Sequence, residues 1–304
     1  MLSRGVAESN LMRISHIINP VKVSDKSDLF IAQPITFESM RVAKQFAESA
    51  IKDLRIDLVS VQYVEDREIV PDYFTLLTDL EKSVLDFSNF EQSRKLPIIN
   101  DILSRAYSFS KDSDYLIYTN VDIALMPQFY LFIYGKILSG CDSLIINRRT
   151  ISQTFSQPWQ LYQMYSELGK PHPGFDCFVF KRDLYPKFIL GKTCIGANWI
   201  GRVMFGNLVT FSQDLQIETD AHLTFHIGDD GAWLSGKFND FDNFNKAEAY
   251  SILEQLKSAT DDVNKLRELF QVKQFMDLRS KVRSNQNNLT LIDKVKQKIK
   301  KYIV

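Results

Sequence analysis

Asn120 and Asp122 close an apolar run, Tyr115-Leu116-Ile117-Tyr118, in the stretch Thr119-Asn120-Val121-Asp122. A buried strand that ends in a carboxylate can set a metal ligand at the edge of a sheet, where ligand crevices form. At positions i and i+2 both side chains point to one side if the segment stays extended. The alternative is a strand-to-helix turn with Asp122 as a cap, because Pro127 and the apolar Phe129, Tyr130, Phe132 and Ile133 look like the start of a helix.

Other residues carry chemistry further along. Arg148 and Arg149 end a β-branched and apolar run, and a guanidinium fork suits a diphosphate. Adjacent strand residues point opposite ways, so one of the two at most can serve. Asp176 opens the strand-like FDCFVF after Pro173-Gly174; it can accept a proton from an attacking hydroxyl or simply bond the turn before it. His222 and His226 have the i, i+4 spacing of a helical zinc pair, but the LTF between their flanks reads as strand, which separates them. Trp159 and Trp199 can stack on the apolar face of a sugar, or can be core. No phosphate-binding glycine loop, dinucleotide fingerprint or nucleophile elbow occurs, which argues against kinases, dehydrogenases and α/β hydrolases.

The elements that would position these residues alternate. Residues 12–23 read as an opening strand, 35–54 as a helix, and 57–64 as a second strand, which together suggest a parallel βαβ unit. A short helix is expected around 73–80. A further helix precedes the strand that carries Asp122, and 128–139 and 142–151 continue the alternation. Segment 151–174 is aromatic and polar without a clear period. Residues 194–208 read as a helix opening near Asn198, 209–226 as strand-rich, and 246–257 and 261–283 as helices.

This order, with the strand reading YLIYTNVDI, resembles the metal-binding segment of nucleotide-sugar glycosyltransferases of the GT-A fold. Their strand reads roughly "dyiiftDaDi", and the D-x-D end holds Mn2+ or Mg2+ on the donor diphosphate. Here the motif is N-x-D, with Asn120 in the first acidic position, which removes one formal charge. The resemblance covers about residues 12–230. It implies an α/β fold, a GT-A-like Rossmann-type mixed sheet flanked by helices, with a C-terminal helical extension. Asn120, Asp122 and Arg148 would bind the donor, and Asp122 would hold the metal. His226, before the flexible Gly228-Asp229-Asp230-Gly231, matches the family's late extra metal ligand. Gly174-Phe175-Asp176 resembles a "GfD.fvf" strand that places a carboxylate beside a sugar. The block IGANWIGRVM resembles an "iG...WdnwL" block, but Ile200 stands where the family has Asp, so either Asp176, Asp229 or Asp230 would act as base or the chain would work by a retaining route without such a base. Trp159 and Trp199 are the candidates for the acceptor side. The alternative reading is a non-catalytic GT-A-like module that binds a glycan or a partner, favoured by Asn120 and the missing Asp.

Composition bounds the rest. The 304 residues are 45% hydrophobic, enough for one large α/β domain, residues 1–245, and a helical basic extension, residues 246–304. The extension holds 13 Lys/Arg against 7 Asp/Glu, and the body 24 against 30. An acidic body argues against nucleic-acid binding. Cys141, Cys177 and Cys194 are three, without paired spacing, which fits a reducing cytoplasm and neither disulfides nor zinc. No secretory signal or transmembrane run is visible. Residues 291–304 place Leu291, Val295, Ile299 and Tyr302 on one face of a basic amphipathic helix that can lie on an anionic membrane, where a lipid-linked glycan acceptor would be met.

Overall fold

The computed structural model describes residues 11–228 and 239–284. Asp229, Asp230 and the segment 291–304 lie outside the described residues. The chain begins with β1 (Met12–Ile18), α1 (Leu29–Ala50), β2 (Leu54–Ser60), β3 (Thr75–Leu76) and α2 (Ile99–Phe109). It continues with β4 (Tyr115–Thr119), β5 (Ala124–Leu125), α3 (Phe129–Leu138), β6 (Ser143–Ile146) and β7 (Arg149–Ile151). Then come α4 (Leu161–Met164), β8 (Lys170–Pro171), β9 (Cys177–Lys181) and α5 (Ile200–Phe211). The last described elements are β10 (Leu215–Glu218), β11 (Thr224–Ile227), α6 (Asn239–Ser258) and α7 (Val263–Ser284).

Seven strands form one mixed sheet in the order β10-β6-β9-β4-β1-β2-β3. All its pairings are parallel except those of β9, which runs antiparallel to both β4 and β6. Side-chain alternation splits the strands between two cores. On β4, Tyr115 and Ile117 face α1 and α3, where they meet Met40, Ala43, Phe129 and Ile133. Leu116 and Tyr118 face α2 and α5, where they meet Ile102, Ala106, Val203 and Leu208. The helices α6 and α7 share that second core through Ile252, Leu256, Leu269 and Met276. The resulting sheet with helices on both faces is the mixed α/β architecture expected.

A second, four-stranded sheet, β5-β11-β7-β8, lies beyond the carboxyl ends of β4 and β6. Its strands are two to four residues long. Two of them continue strands of the large sheet after a break: β5 follows β4, and β7 follows β6.

Several boundaries differ from the sequence reading. Strand β1 stops at Ile18, two residues before Pro20, which has no N–H to pair. Helix α1 starts at Leu29 and runs through Pro34. Gln33 anchors this first part: its side chain accepts from Val21 N at 2.9 Å and donates to Val21 O at 2.8 Å. Residues 73–80 form no helix; Thr75 and Leu76 instead add β3 to the sheet edge. The single strand expected over 142–151 is two strands, in different sheets, broken at Asn147 and Arg148.

Candidate active site

Asp122 does not lie on an extended segment. Strand β4 ends at Thr119, and Asn120 O accepts from Ile123 N at 3.1 Å, so residues 120–123 form a turn. The expected common side for Asn120 and Asp122 is therefore lost, and the two carry separate partners. Asn120 Oδ1 sits 3.5 Å from Tyr118 Oη, at the outer limit of a hydrogen bond.

The small sheet positions Asp122. Strand β5 pairs antiparallel with β11, Ala124 opposite Phe225 and Leu125 opposite Thr224. Extending that register sets Asp122 beside His226 and Ile227, and Asp122 Oδ2 lies 3.4 Å from His226 Nε2. His226 Nδ1 is 2.9 Å from Gly228 O. A carbonyl only accepts, so Nδ1 carries a proton, and Nε2 is the ring nitrogen that faces the carboxylate. The carboxylate oxygen and this nitrogen are close enough for one cation to reach both. Asp122 Oδ1 is buried and has no hydrogen-bond partner among the described residues. No group of three or more His, Cys, Asp or Glu able to hold a metal occurs among the described residues.

Asp176 is delivered by β9, whose antiparallel direction brings its first residues to the carboxyl ends of the neighbouring strands. Extending the pairings of Cys177 with Thr119 and with Ile146 sets Asp176 between Asn120 and Asn147. Its Oδ1 lies 3.0 Å from Arg148 Nη1, with side chains only 10% and 5% exposed. His172 Nδ1 is 3.6 Å from Oδ2, but that nitrogen accepts from Gly174 N at 3.0 Å and so does not donate to the carboxylate. Burial, the largest single influence, pushes the Asp176 carboxyl up; the neighbouring Arg148 guanidinium, with smaller contributions from His172 and His226, more than offsets it and leaves the group below the usual carboxylate range. Asp176 Oδ2 and Asn147 Oδ1 are also buried without a hydrogen-bond partner among the described residues. Three such acceptors around the ends of β4, β6 and β9 are an unusual cost in a native interior, since each unsatisfied group is worth about 1–3 kcal/mol.

The two adjacent arginines part as strand geometry requires. Arg148 faces Asp176, while Arg149 pairs with Asp220 and donates to the carbonyls of Leu168 and Gly169. Both are buried. His222 takes a left-handed backbone, φ 45°. Trp159 is 71% exposed on the turn before α4, whereas Trp199 is 5% exposed, with the Arg279 guanidinium 5.6 Å from its ring. Among the described residues, Asn147 and His172 were not singled out from sequence. The His-Pro-Gly turn four residues ahead of Asp176 was the available signal for His172. The three cysteines are free and buried. Among the described residues no helix is long and apolar enough to cross a membrane.

Comparisons agree with this architecture. No protein-family model matches the sequence, and no curated protein does. Among solved structures, the chain is similar to S. aureus TarS 1–349 in complex with UDP-GlcNAc, with a TM-score of 0.51 at 12% identity over 86% of this chain and 72% of that one. It is also similar to S. aureus TarS 1–349 alone, with a TM-score of 0.52 at 11% identity over 92% of this chain and 75% of that one. For S. aureus TarS the TM-score is again 0.51, at 11% identity, and the match spans 88% of this chain but 43% of that one. At these identities the likeness is one of fold, and the fold is GT-A-like.

Proposed function

We propose that the chain is a glycosyltransferase that moves a sugar from a nucleotide-diphosphate sugar to a glycan or lipid-linked acceptor, assisted by Mn2+ or Mg2+. The observation that carries this reading is the pairing of Asp122 Oδ2 with His226 Nε2, 3.4 Å apart at the carboxyl end of β4. A carboxylate and the nitrogen of a neutral imidazole at this distance fit a divalent cation. Such an ion, when bound, neutralises charge on a leaving diphosphate. It needs few protein ligands, because phosphate and water oxygens complete its shell. The likeness to a protein crystallised with UDP-GlcNAc makes a UDP-sugar the first donor to try.

Asp176 stays ionised at neutral pH and keeps one oxygen open to a hydroxyl donor, so it serves as acceptor of a sugar hydroxyl or of its proton. Its pairing with Arg148 fixes the carboxylate's orientation. Asn120 and Asn147 flank it with amide groups that can bond sugar or phosphate. Trp159 offers an exposed ring to an acceptor.

Incubating the protein with UDP- and GDP-sugars, with Mn2+ or with a chelator, tests this. Metal-dependent release of the free nucleotide supports the reading. Metal-dependent binding without any turnover would favour a glycan-binding module instead, and the absence of binding to every nucleotide sugar would remove both.

A further inference from the structure

Two buried oxygens near the ends of β6 and β9 have nothing to receive. As whole residues Asn147 is 2% exposed and Asp176 8%, and neither Asn147 Oδ1 nor Asp176 Oδ2 has a hydrogen-bond partner among the described residues. The polar side chains beside them are engaged elsewhere. Arg148 Nη1 serves Asp176 Oδ1 at 3.0 Å. His172 Nδ1, 3.6 Å from Oδ2, is itself an acceptor, for Gly174 N. Thr224 Oγ1 turns to the main-chain carbonyl of Asn147, at 3.5 Å, and not to its amide. A third such oxygen, Asp122 Oδ1, belongs to the carboxylate that faces His226.

The backbone holds both oxygens in place. Asn147 N donates to Glu218 O at 2.9 Å and so prolongs the ladder between β6 and β10. Cys177, next to Asp176, is paired on both sides, with Thr119 and with Ile146. One step beyond those pairs Asp176 stands opposite Asn147. Residues opposite each other on antiparallel strands have Cβ atoms about 4.5–5.5 Å apart. Two short side chains so placed can receive from hydroxyls on neighbouring carbons of one sugar ring. Native interiors rarely carry two unmet acceptors side by side, and a ligand that brings two donors offsets their cost.

We infer that Asn147 and Asp176 form a subsite for two adjacent free hydroxyls of the acceptor sugar, one received by Asp176 Oδ2 and the other by Asn147 Oδ1. The word acceptor rests on the glycosyltransferase reading, in which the hydroxyl that reaches Asp176 is the one that reacts; the subsite itself does not. That hydroxyl gives its proton to Asp176 Oδ2 as its oxygen bonds the anomeric carbon of the donor, and the bond from that carbon to the diphosphate breaks with its electron pair on the diphosphate. The neighbouring hydroxyl keeps its proton and donates it to Asn147, which fixes which hydroxyl attacks. A phosphate or an ester at either position brings lone pairs and no donor at neutral pH, and a phosphate is also repelled by the carboxylate. The acceptor class is accordingly a sugar unsubstituted at two adjacent positions.

Calorimetry on the full chain with methyl glucoside, methyl galactoside and methyl mannoside, in saturating UDP and Mn2+, tests the subsite. At least one glycoside should bind the wild-type protein. Asn147→Leu, close in volume but without the acceptor, should weaken that binding about tenfold or more and retain UDP. Fluorine in place of the hydroxyl that Asn147 receives should give a glycoside that binds both proteins alike. Because the change removes an unmet acceptor, Asn147→Leu should also melt no lower than wild type without ligand. Asn147→Ser, shorter and still polar, carries the binding comparison if Asn147→Leu does not fold. Equal glycoside affinity in wild type and variant would overturn the subsite, as would a wild-type protein that binds UDP but none of the glycosides. A folded Asn147→Leu protein that melts below wild type would show the amide to be bonded in the free protein and would overturn it too. Loss of affinity for a UDP-sugar relative to UDP, with glycoside binding intact, would move the pair to the donor and end the acceptor assignment. Failure of UDP to bind while glycoside binding still depends on Asn147 would sink the glycosyltransferase reading and leave the subsite standing.

Discussion

Asp122 Oδ2 and His226 Nε2 face each other at 3.4 Å, and the Gly228 carbonyl accepts from the other ring nitrogen and so orients the imidazole. Removing either base should therefore remove metal affinity without disturbing the core. Asp122→Ala and His226→Gln are each expected to weaken Mn2+-dependent UDP binding at least tenfold, with unchanged binding in chelator. Calorimetry with and without Mn2+ reads this, and equal affinities in variant and wild type would rule the pair out as metal ligands.

Gly228 has a role in that pair that its size conceals. Its φ is 76°, and an added Cβ would meet the Gln153 side chain at 3.0 Å. Gly228→Ala should cost about 1–2 kcal/mol through the left-handed backbone. By shifting the carbonyl that orients His226 it should also weaken the metal-dependent part of UDP binding about tenfold. Unaltered metal dependence in a measurably destabilised variant would show that the carbonyl does not matter.

Arg148 and Asp176 form a buried pair, and breaking it leaves one charge uncompensated. Arg148→Met should destabilise the fold by about 3–5 kcal/mol. The double variant Arg148→Met with Asp176→Leu should recover most of that loss. Urea unfolding midpoints of the three proteins decide it; a double variant no more stable than the single one would argue against a buried-charge origin.

The near-isosteric Asp176→Asn addresses chemistry rather than stability. It is expected to lower sugar transfer roughly a hundredfold and to leave donor binding intact. Near-normal turnover would take Asp176 out of the reaction and turn attention to Asp229 or Asp230.

His16 sets a pH dependence of stability. It is fully buried between Tyr130 Oη at 2.8 Å and Thr119 Oγ1 at 2.9 Å, and burial pushes its pKa down from 6.5 to about 3. The unfolded chain then binds the proton more readily than the folded one. The contribution of neutral His16 is complete above about pH 6.5 and is lost as pH falls from there toward 3. At pH 5 the loss is about 2 kcal/mol. Comparing denaturation midpoints of wild type and His16→Gln between pH 5 and 7 isolates it, and parallel curves would contradict it.

The large sheet was legible because its strands are long enough to show a pattern. The run from Tyr115 to Tyr118 and the FVF of β9 both read correctly as strand, and α3, α6 and α7 lie close to where apolar spacing puts them. The small sheet was not legible: β5 and β8 have two residues each, too short for any period, and their pairing with β11 and β7 is set by tertiary contact. That is why Asn120 and Asp122 read as one extended strand end, whereas the chain turns between them. Pro34 concealed the start of α1, since a proline ordinarily marks a helix boundary. The aromatic flanks of Arg202 were also hidden, because Phe175 lies just before β9 and Phe275 on α7, two stretches of chain distant from it and from each other.

That dependence of β11 on β5 and β7 has a consequence in time. Asp122 is made about a hundred residues before the His226 it faces. At about 5–20 residues per second a growing chain therefore carries the first half of the pair for roughly 5–20 seconds before the second emerges. During that interval β4 can already pair with β1, but β5 and β7 have no β11 between them to hold them. The two ends of the nascent cleft are then unpaired strand edges, open to a chaperone or to a second nascent chain. The juxtaposition of Asp122 with His226 is thus acquired as one late event, when residues 224–227 slot between strands that have been waiting for them.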